Sequence, residues 1–498
     1  MPPISLNEDN SHYFATRADQ ALDAQRVASW VDQYADTQVD ELLLSPNSMR
    51  TSYDSAVWDP IWRHYDPDGP DDQPLLASLS PEGARRARRW IHTAWRLAQQ
   101  GIDPYALWIA RSRDQGISPW LSMRMNDIHN VDDEACYIHS EFWRSRPDLR
   151  RVPWKFSEWT DRAFDYGQAE VRAYHLALVR ELLERYDCDG LELDWMRFGY
   201  HFRPGYEAEG APLLTEFTAQ VRELADAWQE RRGHPIRLAA RVPSRPQTAL
   251  DLGMDASTWA RRGLVDRLVI TPFWATVETD MPIETWQMLL VDTQTELATG
   301  LELLVRPYPA YQGPLPNSLE TVRGAAASFL QRGVERIYLF NYMDSETAML
   351  DAANDYATML REIGSLQTLA GKPRRHVVTY ADTWAPGEPR AAALPLVCTP
   401  GGWETARVHI GPKPQHGHAQ LILGLIDGVG GMTGESLRVY VNGHACAWAG
   451  PTVPPSPSPS FPTVACTIPW DALHSGYNAI QVHAAVAAQI GWVEIALR

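Results

Sequence analysis

The chain has 498 residues, enough to bury one large core and a smaller second one. Hydrophobic residues at 45% and charged residues at 21% are ordinary for a globular protein and exclude a disordered chain. A net charge of −17 repels polyanions, which excludes nucleic acid as a first partner, and no apolar run is long enough to span a bilayer.

The opening residues show no basic segment followed by an apolar stretch, so a cytoplasmic protein is expected. The five cysteines, Cys136, Cys188, Cys398, Cys446 and Cys466, are widely spaced and form no CxxC pair. They read as small hydrophobic residues in a reducing compartment. Twenty tryptophans suit either core filling or stacking on the apolar face of a sugar ring.

In chain order, strands are predicted at 39–46 (VDELLLSP) and 118–125 (SPWLSMRM), with a weaker one near 162–167 (RAFDYG). Further strands follow at 188–196 (CDGLELDWM), 236–244 (IRLAARVPS), 265–274 (VDRLVITPFW), 301–309 (LELLVRPYP) and 336–343 (RIYLFNYM). Their near-continuous apolarity suits a parallel sheet covered on both faces. Between them lie helical repeats, such as Ala87, Trp90, Ala94 and Leu97 within 84–101, and Val171, Tyr174, Leu178 and Leu182 within 170–186. This alternation over 1–372 predicts an α/β fold, a (β/α)₈ TIM barrel.

Near 370–390 the helices stop and proline and charge accumulate. Only strand-like runs follow, at 419–428, 436–448, 463–470, 478–486 and 492–497, with Asn442-Gly443 as a hairpin signal and a proline-rich loop at 451–462. A small all-β sandwich, jelly-roll-like, is therefore expected over 373–498. With LRVYVNG and GYNAIQVHA as its strands it resembles the galactose-binding-like modules attached to many glycoside hydrolases, which implies a sugar-related setting.

The stretch 186–200, YDCDGLELDWMRFGY, carries three acids in an apolar strand. Alternation turns Glu192 and Asp194 to one side and Leu191 and Leu193 to the other. With the leucines against the outer helices, both acids face the barrel interior, about 6.6 to 7 Å apart along the backbone, and Asp194 nears the C-terminal end, where barrel chemistry sits. The structural alternative is a pair of buried charges neutralised by arginines. Other predicted strand ends supply Asn47, Arg50, Arg124, Asn126, Asp127, Arg241, Trp274, Glu278, Arg306, Tyr308, Asn341 and Asp344, a ring of polar and aromatic groups.

The segments GISPWLSMRMND, DCDGLELDWMRF, RVPSRP, GLVDRLVITPFW and TVRGAAASFLQRGVERIYLFNYM resemble the family 10-like glycosyl hydrolases over most of 36–345. That resemblance implies O-glycosyl hydrolysis. DGLELDW is also similar to the DxxDxDxE strand of family 18 chitinases, with Asp189, Glu192 and Asp194 on its three aspartates, but Met196 stands where that family has its catalytic glutamate, so a chitinase-type mechanism is not expected.

Hydrolysis of a glycoside needs two flanking carboxyls. Asp194 is expected as nucleophile or base and Glu278 as acid, with Asp344 and Asp127 as competing acids and Glu192 beneath. Trp120, Trp195 and Trp274 are candidate stacking platforms. Arg124, Arg197, Arg241 and Arg306 either neutralise the acids or recognise an anionic sugar. Expected substrates are short oligosaccharides or glycosides. Neither cofactor nor metal is expected, although Asp127, His129, Asp132 and Asp133 are close in sequence, as are His416 and His418. A non-catalytic carbohydrate-binding barrel and a lyase acting on uronates are the alternative functions.

Overall fold

Eight parallel strands, each paired with its neighbours in chain order, close into a barrel in the computed structural model, which describes residues 4–344, 353–427 and 432–498. They are β1 Ile4–Glu8, β2 Val39–Leu44, β3 Ser118–Arg124, β4 Gly190–Asp194, β5 Arg237–Pro243, β6 Arg267–Thr271, β7 Glu296–Leu301 and β8 Arg336–Phe340. Closure comes from β1, whose Ile4, Ser5, Leu6 and Asn7 pair with Ile337 to Phe340 of β8.

Three placements differ from the sequence prediction. Ile4–Glu8 is a strand that the polar ending Asn-Glu disguises; Ser5 turns inward and donates to Glu41 at 2.7 Å. Residues 162–167 form no strand and make only an isolated bridge, Arg150 with Phe164. The seventh strand ends at Leu301 instead of beginning there: Glu296–Leu301, buried on both faces after Glu296, pairs with β6 and β8, and the more apolar residues after it leave the barrel sheet. The missed first strand and the spurious third one cancel in the count, so DGLELD is still the fourth strand.

Helices pack outside through one apolar face each. Pro81–Gln99 starts with Ser80 accepting the Gly83 amide at 3.1 Å and buries Ala87, Trp90, Ala94 and Leu97, while Arg85 and Arg86 face water. Ala169–Arg185 buries Val171, Leu178 and Leu182 and delivers the chain into β4. No described helix is long and apolar enough to cross a membrane.

Inside the barrel, Leu43, Trp120, Ala239, Val269, Ala298, Tyr338 and Phe340 form the middle of the core. Gly190 is required there, since a Cβ on it would lie 2.3 Å from the Trp120 ring. At the N-terminal ends of the strands an ion-pair plug closes the bottom: Arg267 holds Glu41 at 2.5 Å and Glu296 at 2.8 Å, and Arg336 holds Asp40 at 2.6 Å and Glu296 at 2.9 Å. Access is left to the opposite end.

The C-terminal part is two antiparallel sheets around a shared apolar core that includes Leu421, Leu423, Ile480, Val482, Ile490 and Ile495. One sheet runs in the order 374–377, 488–497, 419–425, 463–468, 447–452, with 396–398 also on 488–497; the other runs 402–409, 477–484, 437–441, 444–445. Asn442 and Gly443, at φ 51° and 80°, make the expected tight turn between Val441 and His444. Strands 374–377, 396–398 and 402–409 were not foreseen, the first because Arg374, Arg375 and His376 look like linker residues. Arg375 is instead fully buried against Glu494 at 2.6 Å and donates to the carbonyls of Pro455, Ser456 and Pro457. Trp492, Ile422 and Ala496 extend the barrel's own outer core into this part.

Candidate active site

Register brings the central charges together. Arg124 of β3 pairs with Asp194 of β4, and Asp194 with Arg241 of β5, so three ionisable side chains sit at one level near the C-terminal strand ends. Asp194 receives Arg241 Nη1 at 2.9 Å on one oxygen and the Met196 amide at 3.1 Å on the other. One layer deeper, Glu192 accepts from Ser122 at 2.7 Å and from Tyr338, across the barrel, at 2.7 Å. Both acids therefore face inward, while Leu191 and Leu193 belong to the outer core. Burial, and then the charge of Asp194, raise the carboxyl of Glu192 above the usual range.

Above this level opens a cleft with two lobes. The first, about 600 Å³, is lined by Asp9, Arg124, Arg197, Glu302 and Asn341 among others; the second, about 670 Å³, by Trp159, Phe198, Phe273 and Trp274 with Ile128 and Val131. His129, Asn130, Arg197, Trp274 and Asn341 border both.

Two carboxyls in the first lobe have opposite characters. Asp9 is salt-bridged to Arg124 and takes the Ser11 amide at 2.8 Å and hydroxyl at 2.6 Å. Burial alone would raise it, but Arg124 and Arg197 prevail and hold it well below the carboxylate range. The carboxyl of Glu302, immediately after β7, accepts from Asn341 Nδ2 at 3.1 Å and lies near the Leu303 amide, and its Oε2 has no hydrogen-bond partner among the described residues. Burial lifts its carboxyl to about 8, with the Asn341 bond only partly opposing. At neutral pH it is an acid with its proton on. The left-handed backbone of Asn341, φ 62°, is one that Asn tolerates better than most residues.

The predicted residues divide. Arg124, Arg197, Trp274 and Asn341 line the cleft, with Asp194 and Arg241 buried beside them. Asp127 is held below the carboxylate range, burial being outweighed by His129 Nδ1 at 2.7 Å and Arg124 at 3.1 Å. Asn126 is spent on backbone, donating to the carbonyls of Phe164 and Tyr200 and accepting the Phe164 amide. Asn47 likewise bonds the Arg124 carbonyl at 3.0 Å, and Arg50 the His139 carbonyl at 2.8 Å. Asp344 pairs with Arg17 and with His12 Nε2 at 3.1 Å, which hold it low against burial.

Glu278 lines neither lobe; it accepts from Ser244 at 2.5 Å, and burial lifts it to about 7. Arg306 donates to the Tyr311 carbonyl at 2.8 Å and lies against the Tyr380 hydroxyl, and Tyr308 packs on the core of the C-terminal sheets, so both face the other part of the molecule. Trp120 fills the barrel interior. Trp195 shares the outward parity of Leu191 and Leu193 and is buried against Tyr166 and His201 at ring distances of 5.2 and 4.9 Å. Neither is a stacking platform.

Residues missed in the sequence are Asp9, Glu302, Trp159, Phe198 and Phe273. Correct placement of β1 and β7 would have put the first two at strand ends. Among the described residues no group of three or more His, Cys, Asp or Glu could hold a metal ion.

Fold and cleft together define a (β/α)₈ barrel protein with a two-lobed cavity at the C-terminal strand ends. No protein-family profile and no curated protein matches the chain. Similar solved structures include an α-L-fucosidase isoenzyme 2 from Paenibacillus thiaminolyticus, at 12% identity and TM-score 0.43 over 74% of this chain and 49% of that one. Others are the PgaB (BpsB) glycoside hydrolase domain from Bordetella bronchiseptica, 11% and 0.41 over 73% and 98%, and a glycoside hydrolase family 20 β-N-acetylglucosaminidase, 10% and 0.39 over 74% and 71%. The chain thus spans about half the length of the fucosidase.

Proposed function

We propose that the protein is a glycoside hydrolase acting on a short oligosaccharide or glycoside, in the cytoplasm, with a family 10-like barrel and a galactose-binding-like accessory sandwich. The observation that carries the reading is Glu302: a buried carboxyl held near 8, lining the cleft, with one oxygen unpartnered among the described residues. A general acid must hold its proton at working pH and give it to a leaving oxygen. Glu302 takes the role expected from sequence for Glu278.

Asp194 is the partner carboxylate, as nucleophile or base. Each of its oxygens accepts one hydrogen bond, from Arg241 or from Met196 N, whereas Asp9 is held by an arginine and two Ser11 donors. Asp9 binds substrate hydroxyls. Arg124 and Arg241 are paired with Asp9, Asp127 and Asp194, but Arg241 Nε and Nη2 keep no hydrogen-bond partner among the described residues and Arg197 Nη2 meets the His129 ring at 3.1 Å, so the first lobe suits a neutral or an anionic sugar.

A panel of α and β glycosides, neutral and uronic, assayed with wild type, Glu302→Gln and Asp194→Asn, tests this. Hydrolysis lost in both variants is expected. Thermal shifts by the sugars without turnover of any glycoside would refute it in favour of a carbohydrate-binding protein.

A further inference from the structure

The second lobe has a chemistry that hydrolysis of a sugar bond alone does not require. Of its six residues not shared with the first lobe, five are apolar, namely Ile128, Val131, Trp159, Phe198 and Phe273; Asp132 is the sixth. Trp159 and Phe273 lie parallel, centroids 5.9 Å apart and planes 11° apart, and Phe198 crosses both at 5.6 and 5.4 Å. Trp159 and Trp274 nevertheless remain 42% and 48% exposed, so these two rings present an open surface, while Phe198 is buried and Phe273 packs against the core.

A sugar unit could stack its C–H face on one ring, but with aromatic and aliphatic groups on its other sides its equatorial hydroxyls would meet carbon, where they find few partners. A flat aromatic group would lose water on both sides at no such cost. Apart from Asp132, the polar groups lie at the seam between the lobes, in His129, Asn130, Arg197 and Asn341, where a glycosidic oxygen would fall if the sugar occupied the first lobe.

We propose that the second lobe is an aglycone subsite for an aromatic leaving group, so that the substrate is an aryl glycoside. This deepens the hydrolytic reading and rests on it for the sugar half.

The wall of the subsite is fixed from outside the barrel. Asp382, beyond the last barrel strand, accepts three consecutive amides, those of Phe273 at 2.7 Å, Trp274 at 2.9 Å and Ala275 at 2.8 Å. Three donors on one carboxyl set the loop that presents both rings. Asp382 is therefore a positioning residue for the subsite and touches no substrate itself.

The test uses 2-naphthol as a probe of the second lobe alone, titrated by calorimetry into the full chain, followed by hydrolysis of 2-naphthyl and methyl glycosides of the same sugars. Naphthol is expected to bind wild type and to bind Trp159→Ala about tenfold more weakly. Asp382→Ala should weaken it several-fold, with partial recovery in Asp382→Asn, which keeps a carbonyl acceptor. In catalysis, Trp159→Ala and Asp382→Ala should raise KM for naphthyl glycosides several-fold more than KM for methyl glycosides, with kcat little changed. Absence of naphthol binding, or binding indifferent to Trp159→Ala, would overturn the subsite even if glycosides are cleaved. Naphthol bound at Trp159 with no glycoside cleaved would overturn the hydrolytic reading and leave the aromatic site standing.

Discussion

Glu302→Gln should make the protein more stable at alkaline pH while removing its acid. In the unfolded chain this carboxyl titrates near 4.5, and in the folded one near 8. Below pH 4.5 both states are protonated and burial of the group costs nothing extra. As pH rises, the unfolded state gives up its proton while the native state keeps it, and stability falls until pH passes about 8, where the loss levels off. The linkage relation puts the penalty at roughly 4 kcal/mol at pH 8 and under about 1 kcal/mol at pH 5. Glutamine cannot ionise and can still accept from Asn341, so the variant escapes the penalty. Urea unfolding of both proteins at pH 5 and pH 8 reads the difference: the variant's advantage should grow by about 3 kcal/mol between the two. The same group predicts that kcat/KM falls tenfold per pH unit above about pH 8 in wild type. An equal offset between the proteins at both pH values would show that Glu302 is ionised in the native state, and its role as acid would fall with it.

Asp194→Asn is expected to lower kcat by about 10²- to 10⁴-fold, whereas Asp9→Asn should act mainly on KM, and steady-state kinetics on one cleaved glycoside would separate the two. An effect on kcat larger in Asp9→Asn would exchange their roles. Gly190→Ala should cost about 3 kcal/mol in denaturant unfolding, since its Cβ would meet the Trp120 ring at 2.3 Å inside a closed barrel. A loss under about 0.5 kcal/mol would mean that β4 or Trp120 yields easily. Arg375→Ala removes one partner of a fully buried pair and should destabilise the chain by about 3 to 5 kcal/mol, as read by chemical denaturation. Retention of wild-type stability would show that the three carbonyls and Glu494 find other donors.

The barrel and the inward pair Glu192 and Asp194 were legible because parallel strands are apolar on both faces, and an acid inside such a run contradicts its surroundings. β1 and β7 were harder. Each is five or six residues with polar or weakly apolar positions turned inward, Ser5 and Asn7 in one, Ala298 and Gly300 in the other, so that neighbouring apolar runs looked more strand-like. Misplacing β7 by five residues hid Glu302, which read as a strand start when it stands just past a strand end. Trp195 shows the opposite case: its parity with Leu193 already pointed it outward. The aromatic lobe draws Trp159 from a short turn of helix and Phe198 and Phe273 from loops, and loop conformation carries no periodic signal from which to place it.

The three amides gathered on Asp382 bear on how this chain can be divided. A fragment ending at residue 372 would contain all eight barrel strands yet leave Phe273, Trp274 and Ala275 with no acceptor for those N–H groups. It would also expose the face of the helix Leu319–Gln331 that lies so close to strand 374–377 that a Cβ on Gly324 would sit 2.0 Å from the Arg375 carbonyl oxygen. For anyone transplanting the barrel into another protein, the portable cassette therefore extends beyond its last strand, through the tail that finishes one wall of the cleft.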